Sequence, residues 1–200
     1  MKLFALTAFA AAALVASTAS AQSQRPQNLG PVIPGFCVFD PQRAVLQSTA
    51  GQAVQVRMRS LTQEVTGEIA PYYESVQAGL TSLQQSAPSM TPEQRDGQAQ
   101  QLQQRYQEAQ QLEQMRQGEL RYTLNEQLKL IGAAADPIMV AVYQERGCGI
   151  LLNADSIIEM NQAMDITDTV IQRLNTAYPG SGNFNRLPVP AELQQQQQAQ

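Results

Sequence analysis

Two cysteines, two pairs of carboxylates and four tyrosines are the side chains in this 200-residue sequence whose type and placing could do chemistry. Cys37 and Cys148 are its only cysteines. Two thiols can form a redox couple or close a structural disulfide. They lack the C-x-x-C spacing of a redox couple and both sit among apolar residues, which favours a disulfide within one chain. Closing a loop of about 110 residues is worth about 5 kcal/mol in the chain-entropy account. Glu64 and Glu68 share a helix face, and Asp165 and Asp168 lie close in sequence. Such pairs could exchange a proton or hold a cation, but only with further groups to complete the site. None stands by, so the first pair reads as a solvated helix face and the second as a helix start. The sequence has no His, and after Lys2 its only lysine is Lys129. A His-based triad, a His-bearing zinc site and a Cys–His dyad are excluded. Neither G-x-x-x-x-G-K-[ST] nor G-x-G-x-x-G occurs, so nothing points to a nucleotide. The reading is a protein with no catalytic, cofactor-binding or metal-binding residues, and not an enzyme.

The elements that must position these side chains begin after a leader. Residues 1–21 carry Lys2, an apolar run from Leu3 to Val15 and then Ser17-Thr18-Ala19-Ser20-Ala21. This is the form of a secretory signal peptide, and the run is too short to span a bilayer. The chain from residue 22 holds 12 Lys+Arg against 17 Asp+Glu. That excess of acid argues against nucleic acid or an anionic membrane as main partner. The expected location is soluble and outside the cytoplasm. Glutamine is the compositional outlier, 32 residues in all, with 12 between Gln94 and Gln127. It suits the outer faces of long helices without the usual charge.

Residues 22–34 hold three prolines and a glycine and read as an extended leader. Gly35-Phe36-Cys37-Val38-Phe39 reads as a buried strand. Asp40-Pro41 then opens a helix, with Asp as N-cap and Pro at the first helical position. It is expected to run over 41–87. Its apolar positions, from Leu46 through Ala50, Val54, Met58, Leu61, Val65, Ile69, Tyr72, Val76 and Leu80 to Leu83, recur at a mean spacing of about 3.7 residues, one narrow stripe. Pro71 removes one backbone bond and is expected to bend the helix. After a reversal over 86–92, Thr91-Pro92-Glu93-Gln94 forms a capping box for a second long helix. That helix carries a matching stripe through Leu102, Tyr106, Ala109, Leu112, Met115, Leu120, Leu124, Leu128, Ile131, Ala135, Ile138 and Val142. It should break near Pro137 and end at Gly147. Two single-stripe helices joined by a short link make an antiparallel hairpin. The runs 148–153 and 156–160 read as two more strands. Asp165, as N-cap, starts a last helix burying Val170, Ile171 and Leu174. The fold class is mainly α with a small β body, the hairpin projecting from it as a coiled-coil-like arm. The divisions are 35–57, body strand and start of the first long helix; 58–133, the arm; 134–178, the end of the second helix, two strands and the final helix; and 179–200, a disordered Gln/Pro-rich tail. So little body cannot stand alone, which calls for oligomerisation, the disulfide, or both.

Two stretches make the order of elements specific. Phe36-Cys37-Val38-Phe39-Asp40-Pro41-Gln42-Arg43-Ala44-Val45-Leu46-Gln47 resembles the strand-into-helix opening of the Skp/OmpH family. Leu151-Leu152-Asn153-Ala154-Asp155-Ser156-Ile157-Ile158, followed by Asp165-Ile166-Thr167-Asp168-Thr169-Val170, resembles its closing strands and helix. The resemblance covers about 35–178. It implies a periplasmic holdase that works without ATP as a homotrimer. Its three arms enclose a cavity in which unfolded outer-membrane β-barrel proteins are kept from aggregating before insertion.

Family arms are basic, whereas residues 58–133 here carry six basic and nine acidic side chains. Lipopolysaccharide contact is therefore not carried over, and client capture must lean on apolar and Gln contacts. Tyr72 and Tyr106 fall in the stripes and are read as arm core. Tyr73 and Tyr122 fall beside them and are the candidate client-contacting residues. Two other functions fit the same elements: a structural envelope scaffold or spacer, and an accessory subunit of an outer-membrane insertion complex. A holdase suppresses aggregation of many unfolded barrels; a scaffold does not, and a subunit co-purifies with one partner.

Overall fold

The computed structural model describes residues 30–180 and 182–193. The signal assigned to 1–21, most of the leader and the glutamine run at 194–198 lie outside these. Strand β1 (Phe36–Phe39) leads into helices α1 (Pro41–Gln47), α2 (Thr49–Ser86) and α3 (Pro92–Glu145), then strand β2 (Ile150–Asn153) and helix α4 (Thr167–Ala177).

Of the three predicted N-caps, those at Asp40 and Thr91 form. The Asp40 carboxylate accepts the Arg43 N–H at 2.8 Å, and Thr91 and Gln94 satisfy each other's backbone at 3.3 and 3.0 Å. The single helix expected over 41–87 is divided at Ser48, whose backbone is extended with ψ 156°. The buried Ser48 hydroxyl donates to the Val45 carbonyl at 2.7 Å and accepts the Gly51 N–H at 3.0 Å, closing one helix and capping the next. Gly51 is required there, because a Cβ would collide with the Val45 carbonyl oxygen. The division takes Leu46, the first stripe position, out of the buried face and leaves it exposed. α2 runs on through Pro71, and α3 runs on through Pro137, so the break expected at Pro137 does not occur. One missing donor is tolerated where both flanks are held, and here Ala135 and Ile138 pack into the core on either side. α3 stops where Gly147 takes φ +66°, and the Cys148 N–H reaches back to the Tyr143 carbonyl at 3.1 Å.

β1 and β2 pair in parallel, Phe36 opposite Ile150 through Phe39 opposite Asn153. Parallel pairing requires a crossover, which is the entire hairpin. The second strand expected at 156–160 does not form. The Asn153 side chain accepts the Asp155 N–H at 3.0 Å, and the Ala154 carbonyl accepts the Ile157 N–H at 3.0 Å. This turn satisfies its backbone locally and withdraws it from the sheet. Ile158 is left 97% exposed. On the other side of β1 there is a single bridge, Val38 with Asp165.

Two apolar clusters make the core. Cys37, Val142, Cys148, Ile166 and Val170 pack beside the sheet, and Ala50, Val54, Ile131, Ala135 and Leu174 pack at the root of the hairpin. α4 joins them, its Val170 in the first and Leu174 in the second. Its N-cap is Ile166 rather than the expected Asp165. Asp165 instead accepts the Thr167 N–H at 2.8 Å and pairs with Arg43 at 2.6 Å, tying α4 to α1. A disulfide links Cys37 to Cys148, with Cα atoms 5.7 Å apart. Outward from the root, α2 and α3 pack on each other in antiparallel sense. The 54 residues of α3 extend about 80 Å at 1.5 Å per residue.

Candidate functional site

The arm presents the largest continuous surface on which a candidate site can be described. Along one face, Thr62, Val65, Thr66, Ile69, Ala70 and Tyr73 of α2 face Glu113, Gln117 and Leu120 of α3 around a hollow of about 300 Å³. Tyr73, Val76, Leu80 and Tyr106 carry this line into a second hollow of about 370 Å³. Leu83, Ala99 and Leu102 extend it into a third of about 390 Å³ near the tip. The helices come close there because Gly79 has no Cβ to strike the Leu102 side chain. The result is a row of shallow, open, mainly apolar depressions.

Tyr73 sits where the first two hollows meet. Its hydroxyl donates to Glu113 Oε2 at 2.6 Å, and its ring meets that of Tyr106 edge to face, centroids 6.0 Å apart. The hydrogen bond to Glu113, followed by partial burial, pushes the Tyr73 phenol up to about 12. Tyr72, expected in the core, is instead 50% exposed, and Tyr106 is also exposed. The contact line between the helices runs through Tyr73, so the two neighbours exchange the faces assigned to them. Tyr122 is half-buried. It lies nine residues from Glu113 along α3, about 13 Å, so it and Tyr73 do not share one depression.

The opposite face of the arm is covered. Of the tail expected to be disordered from residue 179, residues 182–193 are described, and Phe184, Arg186 and Leu187 contact α2 and α3. Arg186 reaches Glu68 at 3.0 Å and Glu119 at 2.7 Å. Arg116 joins the same two carboxylates at 2.9 and 3.1 Å. Glu64 and Glu68 are exposed, as read, but both are paired: Glu68 is part of a four-charge network, and Glu64 pairs with Arg57 at 2.8 Å. Glu119, Thr123 and Arg186 are contact residues that sequence reasoning missed. The available signal was Phe184 and Arg186, the one aromatic and the one basic residue in a proline- and glutamine-rich tail.

At the body, Val32, Ile33, Ile150, Leu152 and Ile158 are exposed large apolar residues. Asn161 draws the leader toward them by donating to the Gly30 carbonyl at 2.8 Å. Among the described residues, no three His, Cys, Asp or Glu are grouped to hold a metal ion, and no helix is long and apolar enough to cross a membrane.

A family model described as outer membrane protein (OmpH-like) matches residues 35–174. No curated protein matches the chain. Among solved structures, the chain is similar to the crystal structure of a candidate outer membrane chaperone (OmpH-like) from Caulobacter crescentus CB15. The two are 28% identical with a TM-score of 0.73, over 82% of this chain and 96% of that one.

Proposed function

This chain belongs to the OmpH-like outer membrane protein family, and we propose that it is an ATP-independent periplasmic holdase for unfolded outer-membrane β-barrel proteins. The observation that carries this reading is the row of apolar hollows from Thr62 to Leu83 along one face of a projecting hairpin. An unfolded barrel offers alternating apolar side chains without a fixed shape. A row of shallow depressions suits such a ligand better than one deep pocket, since many weak contacts sum to tight holding when they are kept near each other. Tyr73 is the contact residue best placed for this role, and Tyr122 a second, separate one.

The working form is a homotrimer. Val32, Ile33, Ile150, Leu152 and Ile158 form an exposed apolar margin around a two-stranded sheet, the kind of surface that a monomer rarely leaves open. Three arms around one axis would then enclose the client. Residues 1–21 supply the export signal. The arms carry more acid than base, so lipopolysaccharide is not assigned as a ligand.

The deciding experiment is dilution of an urea-unfolded outer-membrane barrel into buffer with one trimer equivalent of the protein and no nucleotide. Light scattering should stay near baseline. Full aggregation at a severalfold excess would overturn the holdase reading in favour of a scaffold. Protection of one folded partner only would favour an accessory subunit.

A further inference from the structure

We propose that the face of the arm covered by residues 182–190 is a binding groove for an extended polypeptide segment with an aromatic residue and, two residues on, an arginine or lysine. The C-terminal strap is then its resident occupant, in competition with such a segment from outside. The source of that segment, an unfolded client, rests on the holdase reading; the groove itself does not.

The strap follows the groove closely. Gly182 lies on Ala53, the Phe184 carbonyl accepts from Arg57 Nε at 2.8 Å, and the Leu187 N–H donates to Thr123 Oγ1 at 2.8 Å. Two extended residues advance about 6.6 Å, close to the roughly 6 Å of four helical residues from Ala53 to Arg57. Over Gly182–Phe184 the segment therefore advances at the same rate as the helix it lies on. Arg57, Glu64 and Glu68 fall on one line of α2, whereas Thr62, Thr66 and Tyr73 fall about 160° round it. The strap and the open hollows occupy opposite faces, and one does not block the other.

What the groove recognises is set by what the strap supplies. Phe184 packs against the cluster of Ala50, Val54, Ile131, Ala135 and Leu174. The Arg186 side chain, 17% exposed, sits between Glu68 and Glu119. Without Arg186 the groove would hold two carboxylates against the single cation of Arg116, with an apolar recess next to them. That is a complementary site for an aromatic–x–basic segment. Arg57 and Thr123 add two bonds to backbone, which fix direction without reading sequence. Arg186 and Glu119 are largely shielded, but Glu68 keeps 41% of its side chain exposed, so one side of the network opens to solvent and exchange is possible.

The test uses the full chain in two forms, wild type and a strap-released variant carrying Phe184→Ser and Arg186→Glu. The probe is a labelled peptide with the sequence of residues 182–193. The released variant should bind it about tenfold or more tightly than wild type, and a peptide with glutamate in place of its arginine should lose most of that gain. Equal binding by both forms, or none by a released variant with unchanged helix content and sedimentation, would overturn the proposal. A second measurement needs no variant: amide exchange in the wild-type strap should speed up under excess peptide, and unchanged exchange at saturation would also overturn it. Barrel aggregation measured alongside separates the two readings. Peptide binding without holding refutes the holdase and leaves the groove, while holding without peptide binding refutes the groove alone.

Discussion

Removing the cross-link between Cys37 and Cys148 should cost this protein a large part of its stability. The bond joins positions 111 residues apart, at the first strand and at the entrance to the second. Most of the residues between them belong to the arm, whereas β1 and β2 are held together near the bond by their own pairing and by the packing of Val142, Ile166 and Val170. Each strand has only four residues. In the chain-entropy account a loop of this length is worth about 4.7 kcal/mol, against a usual total of about 5–15 kcal/mol. For a chain of this size that corresponds to a fall in Tm of roughly 10–20 °C. The suitable variant is Cys37→Ala with Cys148→Ala, since both sulfurs lie in the apolar core and serine would bury two unpaired hydroxyls. Thermal unfolding followed by circular dichroism, at equal protomer concentration, gives the number. Mass analysis of the wild type without reductant must first find no free thiol after isolation from an oxidising compartment. Two free thiols there would refute the pairing. A bonded wild type whose double alanine variant melts within about 3 °C would refute the energetic reasoning, because it would mean that the body keeps its ends together without help.

Three further outcomes follow from particular side chains. Gly51→Ala should destabilise by about 1–3 kcal/mol in urea unfolding, since the new methyl meets the Val45 carbonyl, whereas Gly132→Ala, in helix with nothing near its Cβ position, should be neutral or stabilising by up to about 1 kcal/mol. Tyr73 has its phenol pushed up to about 12 in the folded state, so its contribution is complete below pH 10 and is lost as pH rises through the folded value; ultraviolet titration should show a late tyrosinate step that Tyr73→Phe removes. Client holding should not weaken as salt is raised, because the arm carries nine acidic and six basic residues and its open face is mainly apolar; a fall in affinity of about tenfold between low and high salt would show charge capture instead.

The starts of α1 and α3 were legible because their chemistry is local, whereas the start of α2 at Ser48 was not. Asp40-Pro41 and Thr91-Pro92-Glu93-Gln94 satisfy orphan backbone donors with side chains one to three residues away, and nothing distant can alter that. The stripe was legible as a period but not as a phase. Val65, Ile69 and Val76 are buried as read, yet between Ile69 and Val76 the period falls midway between Tyr72 and Tyr73. The choice is made across the hairpin by Glu113 and Tyr106. The run at 156–160 failed for a related reason. Ile157-Ile158 is apolar enough for a strand, but Asn153 and Ala154 close a turn first.

The strap was illegible for a different reason, one that bears on how such tails should be read. Composition over 179–200 averages a glutamine run with a short segment containing Phe184, Arg186, Leu187 and Val189. By that average the tail cannot bury enough to offset the entropy of ordering. The average assumes that the tail must build its own core. Here the tail adds to an existing core: α2 and α3 offer an apolar recess, two carboxylates and two backbone-bonding side chains on one face. A few residues then need to order, and each meets a partner on that face. Glu119, next to the stripe position Leu120, marks the place from the other side, because a buried glutamate is costly unless a cation is supplied. Arg116 supplies one from the same helix, and Arg186 supplies the second from 67 residues further along the chain. A buried acid with too little local base is therefore the feature from which an ordered, basic strap could have been inferred.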